Sequence, residues 1–350
     1  MARTARSRRL GAAAGAVLAT AALACGSVAT AATASADDGP YTFAVIGDIP
    51  YGDAALAAFP ANVAQIGADR EVRFVAHLGD IKSGSSLCSD AYFATIRSDF
   101  DAFTKPLVYT PGDNEWTDCH RPNNGTYDPL ERLAKVREVF VPAPGRTLGR
   151  ATMKVRSQAR AGIPENVSFE RADVAFAAVH IVGSNNSLLP WTGRTAPTPE
   201  QVAEEKARTA AGIALVKETF RRARGEGDQA VVLMMQADMF DPTTPQVDLA
   251  FGAFRPVVQT IAAESLKYGK PVYLLNGDSH VFTDDNPLDG TKASPIGLAA
   301  TWTSFYGVPA VPNLHRVTVD GSGNATDYLR VTVDEDATEP LSWVRVPFTG

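Results

Sequence analysis

"YTFAVIGDIPYG", Tyr41–Gly52, sets an unbroken apolar run against a glycine–aspartate corner. Six residues rich in β-branched and aromatic side chains read as a buried β-strand. Gly47 lets the backbone turn tightly, so the short Asp48 side chain can point off the strand end. The same pattern returns twice. "RFVAHLGDIKSG" (Arg73–Gly84) passes through Asp80, and "LVYTPGDNEW" (Leu107–Trp116) through Asp113 and Asn114. Asp48, Asp80 and Asp113 are spaced by 32 and 33 residues, the length of one βαβ unit. Helix-compatible stretches near Ala54–Ile66 and Ala91–Phe103 fill the intervals, the first made irregular by Pro60. Parallel strands open their carboxyl ends onto one crevice, so the three acids are expected to converge at one sheet edge.

The later chain extends this pattern. "VAFAAVHIV" (Val174–Val182) reads as a strand buried on both faces, followed by "AVVLMM" (Ala230–Met235) and "PVYLL" (Pro271–Leu275). The second of these leads into Gln236 and Asp238, the third into Asp278 and His280. A helix is expected from a Thr198 cap, with Pro199 in its first turn and Gln201 three residues past the cap, to Arg224. Another is expected near Phe254–Tyr268. From about residue 314 to 347, short runs separated by "DGSGN" and "DEDATEP" read as antiparallel strands joined by turns. The class is mixed α/β, in a single domain over residues 37–350 that includes the C-terminal strands.

Converging carboxylates raise one another's pKa unless positive charge sits among them. No lysine or arginine is read as accompanying them at the same strand ends. A divalent cation is then the simplest counter-charge, with Asp48, Asp80, Asp278 and His280 as candidate ligands. Gly–Asp is a common turn pair, and Gly227-Asp228 and Asp289-Gly290 read as turns alone. Four copies that each follow a buried-type strand point to more than turns.

In order, the blocks "GDIPYG", "GDIKSG", "PGDNEW" and "GDSH" resemble the calcineurin-like metallophosphoesterases, whose blocks run D-x-H, G-D, G-N-H-[DE], a strand-end H and G-H-x-H. The resemblance covers roughly residues 42–285. It implies a two-sheet α/β sandwich with metals at the strand ends, and hydrolysis of a phosphomonoester or phosphodiester. Asp48 would bind the first metal, Asp80 would bridge two, and His280 matches the last histidine of G-H-x-H. Several positions depart from the family pattern. Pro50 stands at the histidine of D-x-H, with Tyr51 after it; Gln236 stands at the strand-end histidine; Asp278 replaces the first histidine of G-H-x-H. Gly112-Asp113-Asn114-Glu115 replaces G-N-H-[DE], so Asp113 or Asn114 would be the second-metal ligand and no histidine occupies the usual proton-donor place. Exchanging imidazoles for oxygens favours Mn²⁺, Mg²⁺ or Ca²⁺ over Zn²⁺ or iron, with one or two ions per chain.

Cys88 and Cys119 form an even pair beyond the leader and are expected to be disulfide-bonded. That bond would tether the loop carrying His120 and Arg121, which with Asn114 are the candidate catalytic groups: His120 as replacement proton donor and Arg121 as phosphate clamp, the other reading being a solvent-facing His-Arg pair. His77, His180 and His315 read as structural, Trp116 and Trp191 as packing, and Asp284-Asp285 as a solvated turn.

Residues 1–36 read as a signal peptide: Arg3, Arg6, Arg8 and Arg9, then an apolar stretch to about Val28, then Ala34-Ser35-Ala36 as an A-x-A cleavage pattern. Arg8-Arg9 leaves a twin-arginine route open beside the general secretory one. Ala22, three before Cys25, is small for a lipoprotein site, which makes anchoring the weaker reading. Removing four arginines and no acid takes the net charge from −6 to −10, against nonspecific nucleic-acid binding, and no second apolar span is long enough to cross a bilayer. The expected protein is a secreted, metal-dependent phosphoesterase with a phosphorylated substrate. The rival is a non-catalytic relative that binds a phosphorylated ligand or a surface partner in the remodelled crevice.

Overall fold

The computed structural model describes residues 40–241, 251–292, 301–334 and 336–349; the expected leader lies outside these. Residues Gly39–Gly350 form one compact unit. In the first sheet the strand order is β12-β11-β1-β2-β3, built from β1 (Tyr41–Ile46), β2 (Val72–His77), β3 (Leu107–Tyr109), β11 (Asp327–Val333) and β12 (Leu341–Pro347). The second sheet has the order β4-β5-β6-β7-β8-β10-β9. Its strands are β4 (Arg156–Gln158), β5 (Ile163–Arg171), β6 (Val174–Ala178), β7 (Ala230–Met234), β8 (Val272–Asn276), β9 (Thr283–Asp285) and β10 (Leu314–Thr318).

Period-two alternation stacks these sheets face to face. In β1, Phe43 and Val45 enter the core between the sheets, while Ala44 and Ile46 face the outer helices. The inter-sheet core is strongly aromatic. Phe43 stacks on Phe74 at 4.7 Å and Phe169 on Phe176 at 4.8 Å, and Phe74 meets Phe176 edge-on at 5.6 Å. Helices Gly52–Ala68, Asp90–Ala102 and Pro129–Phe140 cover the first sheet's outer face, and Pro199–Glu226 and Arg255–Tyr268 cover the second's. The result is a four-layer α/β/β/α sandwich, the class expected.

Thr198 caps its helix with both limbs of a capping box, and the helix runs two residues past the expected Arg224. Two readings need correction. Regular pairing in "VAFAAVHIV" stops at Ala178, because the chain must leave the sheet to reach the strand-end crevice. The C-terminal strands are not one antiparallel tail: β10 lies parallel to β8 in the second sheet, and only β11 and β12 extend the first sheet antiparallel. A parallel pairing needs a long crossover, which the stretch between Asn276 and Leu314 supplies.

Phe176→Ala should destabilise the fold by about 3–5 kcal/mol, read from the denaturation midpoint, because it empties the centre of the aromatic stack. Phe176→Leu should cost clearly less.

Candidate metal centre

Strands β1, β2 and β3 of one sheet and β7 and β8 of the other all end at the same edge. Asp48, Asp80, Asp113, Gln236 and Asp278 come just past those ends. Asp48, Asp80, Asp278 and His280 hold left-handed backbone, φ 53°, 54°, 76° and 62°. That conformation costs an L-residue roughly 1–2 kcal/mol, least for aspartate, and here it turns each side chain inward. The outcome is two groups whose ligand atoms lie within 4.8 Å of one another: Asp48–Asp80–His280 and Asp80–Asp113–Asp278. Asp80 belongs to both.

Each acid is held by donors. Both Asp48 oxygens accept the Asp278 backbone N–H, at 3.1 and 3.0 Å, and His280 Nε2 lies 3.4 Å from Asp48 Oδ1. Asp113 accepts from Ser184 Oγ at 2.8 Å and Gln236 Nε2 at 3.3 Å. Asp278 Oδ2 accepts the Asp238 N–H at 3.2 Å. Gly183 lies against two of these acids: a Cβ on it would stand 2.7 Å from both Asp113 Oδ2 and Asp278 Oδ1. The four residues after it, Ser184–Ser187, all adopt left-handed backbone, φ 51° to 73°. Arg208, fully buried, holds that turn through the carbonyls of His180 and Asn186 and the Ser187 hydroxyl, with its guanidinium over Trp116. The sequence offers this Gly-Ser-Asn-Asn-Ser loop as one that could line the pocket, and the structure places it against the acids; its left-handed course is the unforeseen part. Its signal was the run Gly-Ser-Asn-Asn-Ser, the residue types that best tolerate left-handed backbone.

The electrostatics fit a cation. Burial first, and then the charge of Asp113, push the Asp80 and Asp278 carboxyls well above their usual range. Asp48 is raised by burial, despite His280 beside it. Asp118, unforeseen, is buried by the same edge and pushed to about 7 by burial and by Asp113. One expectation is overturned: a lysine does accompany these acids. Lys82 is fully buried two residues past Asp80, donating to the carbonyls of Ser83 and Asn114 at 2.8 Å. Burial lowers it to about 8, which leaves it charged at neutral pH. A single buried ammonium does not balance this many acids. The carboxylate oxygens and one imidazole remain a set that suits a divalent cation.

Other candidates sit differently from their expected roles. The Asn114 amide nitrogen donates to Asp80 Oδ2 at 2.6 Å and to the Tyr51 hydroxyl at 2.7 Å, so that face presents no oxygen to an ion. Gln236 is engaged at both ends, its Oε1 accepting the Gly183 N–H at 2.7 Å. Tyr51, given no role from sequence, donates to Asp80 Oδ2 at 2.7 Å. Arg121 pairs with Asp118 at 2.7 Å and comes near Asn114 over Gly84, its side chain 38% exposed. His120 lies against Thr192 and Trp191, and no hydrogen bond joins it to the acid groups among the described residues. Cys88 and Cys119 are disulfide-bonded, as expected. His180 is buried against Glu165 at 2.7 Å and Trp116 packs beside it, both structural. Asp284 and Asp285 are no solvated turn: they lie in β9, where Asp285 pairs with Arg316 and Asp284 with His315.

No protein-family profile matches the chain, and no curated protein does. Among solved structures it is similar to GAP50, the anchor in the inner membrane complex of Plasmodium, at 8% identity and TM-score 0.46, over 89% of this chain and 90% of that one. It is also similar to the NAD nucleotidase of Haemophilus influenzae, at 11% identity and TM-score 0.41, over 88% of this chain and 55% of that one. A third likeness is to a Staphylococcus aureus protein described as a 5′-nucleotidase, in complex with alpha-ketoglutarate, at 11% identity and TM-score 0.43, over 89% and 55%. The chain thus spans about half the length of the two nucleotidases. Likenesses this distant carry nothing about chemistry, which rests on the site itself.

The raised carboxyls give a signed pH dependence. Without metal the folded chain keeps protons that the unfolded chain releases, so stability falls as pH rises past the usual carboxylate range of about 4. A divalent cation replaces those protons. The rise in Tm on adding Mn²⁺ or Mg²⁺ should therefore be larger at pH 8 than at pH 5, measured by differential scanning fluorimetry. An increment that shrinks with pH would contradict this electrostatic account.

Proposed function

We propose that the chain is an exported, metal-dependent phosphoesterase that hydrolyses phosphomonoesters or phosphodiesters. The observation that carries this reading is the pair of ligand groups sharing Asp80 at one sheet edge, with Arg121 on the loop that leaves Asp113, near Asn114. Export is supported by the Cys88–Cys119 disulfide, a bond that persists in oxidising compartments. Asp48, Asp80, Asp113, Asp278 and His280 would hold the cation or cations, and so oxygen-rich a set favours Mn²⁺, Mg²⁺ or Ca²⁺. When bound, such an ion supplies Lewis-acid polarisation of a phosphoryl oxygen and acidifies a water.

The chain's own side chains do the rest. Arg121 is braced on one side by Asp118, and its exposed guanidinium edge can hold phosphoryl oxygens. His120 Nδ1 accepts the Thr192 N–H at 2.9 Å, which places the ring proton on Nε2. Burial, and then Arg121, push His120 down to about 4, so it is neutral at pH 7. It can donate a hydrogen bond to a leaving-group oxygen through Nε2–H, but it carries no surplus proton to give. The same observation favours a second reading, in which the crevice binds a phosphorylated ligand without turning it over.

Aryl phosphate mono- and diesters offered to the metal-stripped chain, with Mn²⁺, Mg²⁺, Ca²⁺ and Zn²⁺ added singly, decide between the two. Hydrolysis should appear with the harder ions, and Asp80→Asn should reduce it by at least the roughly 100-fold typical of a lost transition-state contact. Arg121→Ala should raise KM more than it lowers kcat. Stoichiometric metal binding with no ester hydrolysis would hand the site to the binding reading.

A further inference from the structure

We propose that this centre holds a single divalent cation, in the all-carboxylate group Asp80–Asp113–Asp278, and that Tyr51 and Asn114 close Asp80 to a second. The inference rests on the metal-centre reading above and narrows it. A carboxylate offers about four lone-pair positions, two on each oxygen. On Asp80 Oδ2 one accepts the Tyr51 hydroxyl at 2.7 Å and the other the Asn114 amide at 2.6 Å. The Asn114 backbone N–H takes a position on Oδ1 at 3.1 Å. One position remains, enough for one ion, whereas bridging two ions needs two. The two closing groups also hold each other, because the second amide N–H of Asn114 donates to the Tyr51 oxygen at 2.7 Å. Opening Oδ2 therefore means breaking a closed triangle of hydrogen bonds. The Tyr51 ring is kept in place edge-on to His280, at 5.2 Å.

Two observations choose between the ligand groups. Asp48 is the more engaged acid: it takes the Asp278 N–H across both oxygens, and His280 Nε2 lies 3.4 Å from Oδ1. Asp278 Oδ1, by contrast, accepts no hydrogen bond among the described residues. It faces Asp113 Oδ2 across Gly183, where any side chain would fill the gap between the two oxygens. Lys82 is buried two residues past Asp80 and donates its ammonium to the Asn114 carbonyl. That charge lessens the need for a second ion there. Tyr51 and Asn114 are thus positioning residues that set how many cations the centre takes.

The test is metal stoichiometry, read without reference to turnover. The full chain, stripped and then equilibrated with Mn²⁺, is desalted for elemental analysis and examined by electron paramagnetic resonance. One Mn²⁺ per chain with the spectrum of an isolated ion is expected. Tyr51→Phe keeps the ring but frees a lone pair on Oδ2, and should admit a second, weaker, spin-coupled ion. Asp278→Asn should weaken the single site by at least 10-fold, while His280→Gln leaves the stoichiometry at one. Gly183→Ala, which fills the gap without altering an acid, should also weaken binding, and it serves if Asp278→Asn fails to fold by circular dichroism. Two coupled ions in the unaltered chain, or an ion lost in His280→Gln and kept in Asp278→Asn, would overturn the proposal and leave the metal-centre reading standing. No bound ion at all would overturn both.

Discussion

Like charge brought together out of water is the constraint around which this molecule is arranged. Asp48, Asp80, Asp113 and Asp278 meet at one edge with Glu115 and Asp118 close by; Asp278 is half-buried and the others are buried. Two carboxylates 4.8 Å apart repel by on the order of 3 kcal/mol at an effective dielectric near 20. A few such pairs would exhaust the roughly 5–15 kcal/mol that a domain has in total. The strands must hold the acids against that repulsion, which explains why Asp48, Asp80, Asp113 and Asp278 each come just past the end of a strand locked in a sheet. The chain's compensation is local: backbone N–H groups aimed at Asp48, Asp80 and Asp278, one buried lysine, and Arg121 at the rim. The same groups could hold a cation, which would supply what these leave.

The acids do not all do one thing. In the run Asp113-Asn114-Glu115, successive side chains take three different directions. Asp113 joins Asp278 around Gly183, Asn114 fastens Asp80 to Tyr51, and Glu115 turns beneath the loop. Glu115 Oε1 accepts the N–H groups of Asp80 and Gly112 and the hydroxyl of Tyr109, which ties the second strand end to the third. Asp118 works one step farther out. It shares the Ser184 hydroxyl with Asp113 and orients Arg121. Three oxygen-bearing residues in a row are therefore one loop that both presents a ligand and braces its neighbour.

Local chemistry decides what could be read beforehand. Apolar runs and glycine–aspartate corners are short-range signals, so β1, β2, β3, β6, β7 and β8 and the converging acids were legible, whereas β4, β5 and β9, which lack both signals, were not. The Thr198 cap was legible because its whole motif lies within four residues. Lys82 was not legible as a site residue, because a lysine beside a serine and a glycine looks like loop surface and only tertiary packing buries it. The role of Tyr51 is not legible locally, because it depends on Asp80, 29 residues away, and on Asn114, 63 away. The parallel placement of β10 depends on a crossover whose path no local pattern encodes. The left-handed turn at Ser184–Ser187 needed Arg208, on a different element, to hold it.

The disulfide takes its meaning from the same repulsion. Cys88 lies on the loop leaving Asp80 and Cys119 on the loop leaving Asp113, and the bond spans 31 residues of chain. The two loops it joins carry Lys82 on one side and Asp118 and Arg121 on the other. They are the segments that would move apart first if the acids pushed outward. The Cys88 carbonyl is held by the buried Arg132, and its N–H by the Asn124 carbonyl, so the covalent link is anchored in the helical layer rather than left at the surface. A cross-link acts chiefly by limiting what the opened chain can explore. Here it limits the one opening that charge repulsion favours, and so keeps the strand-end acids near ligand distance before any cation arrives.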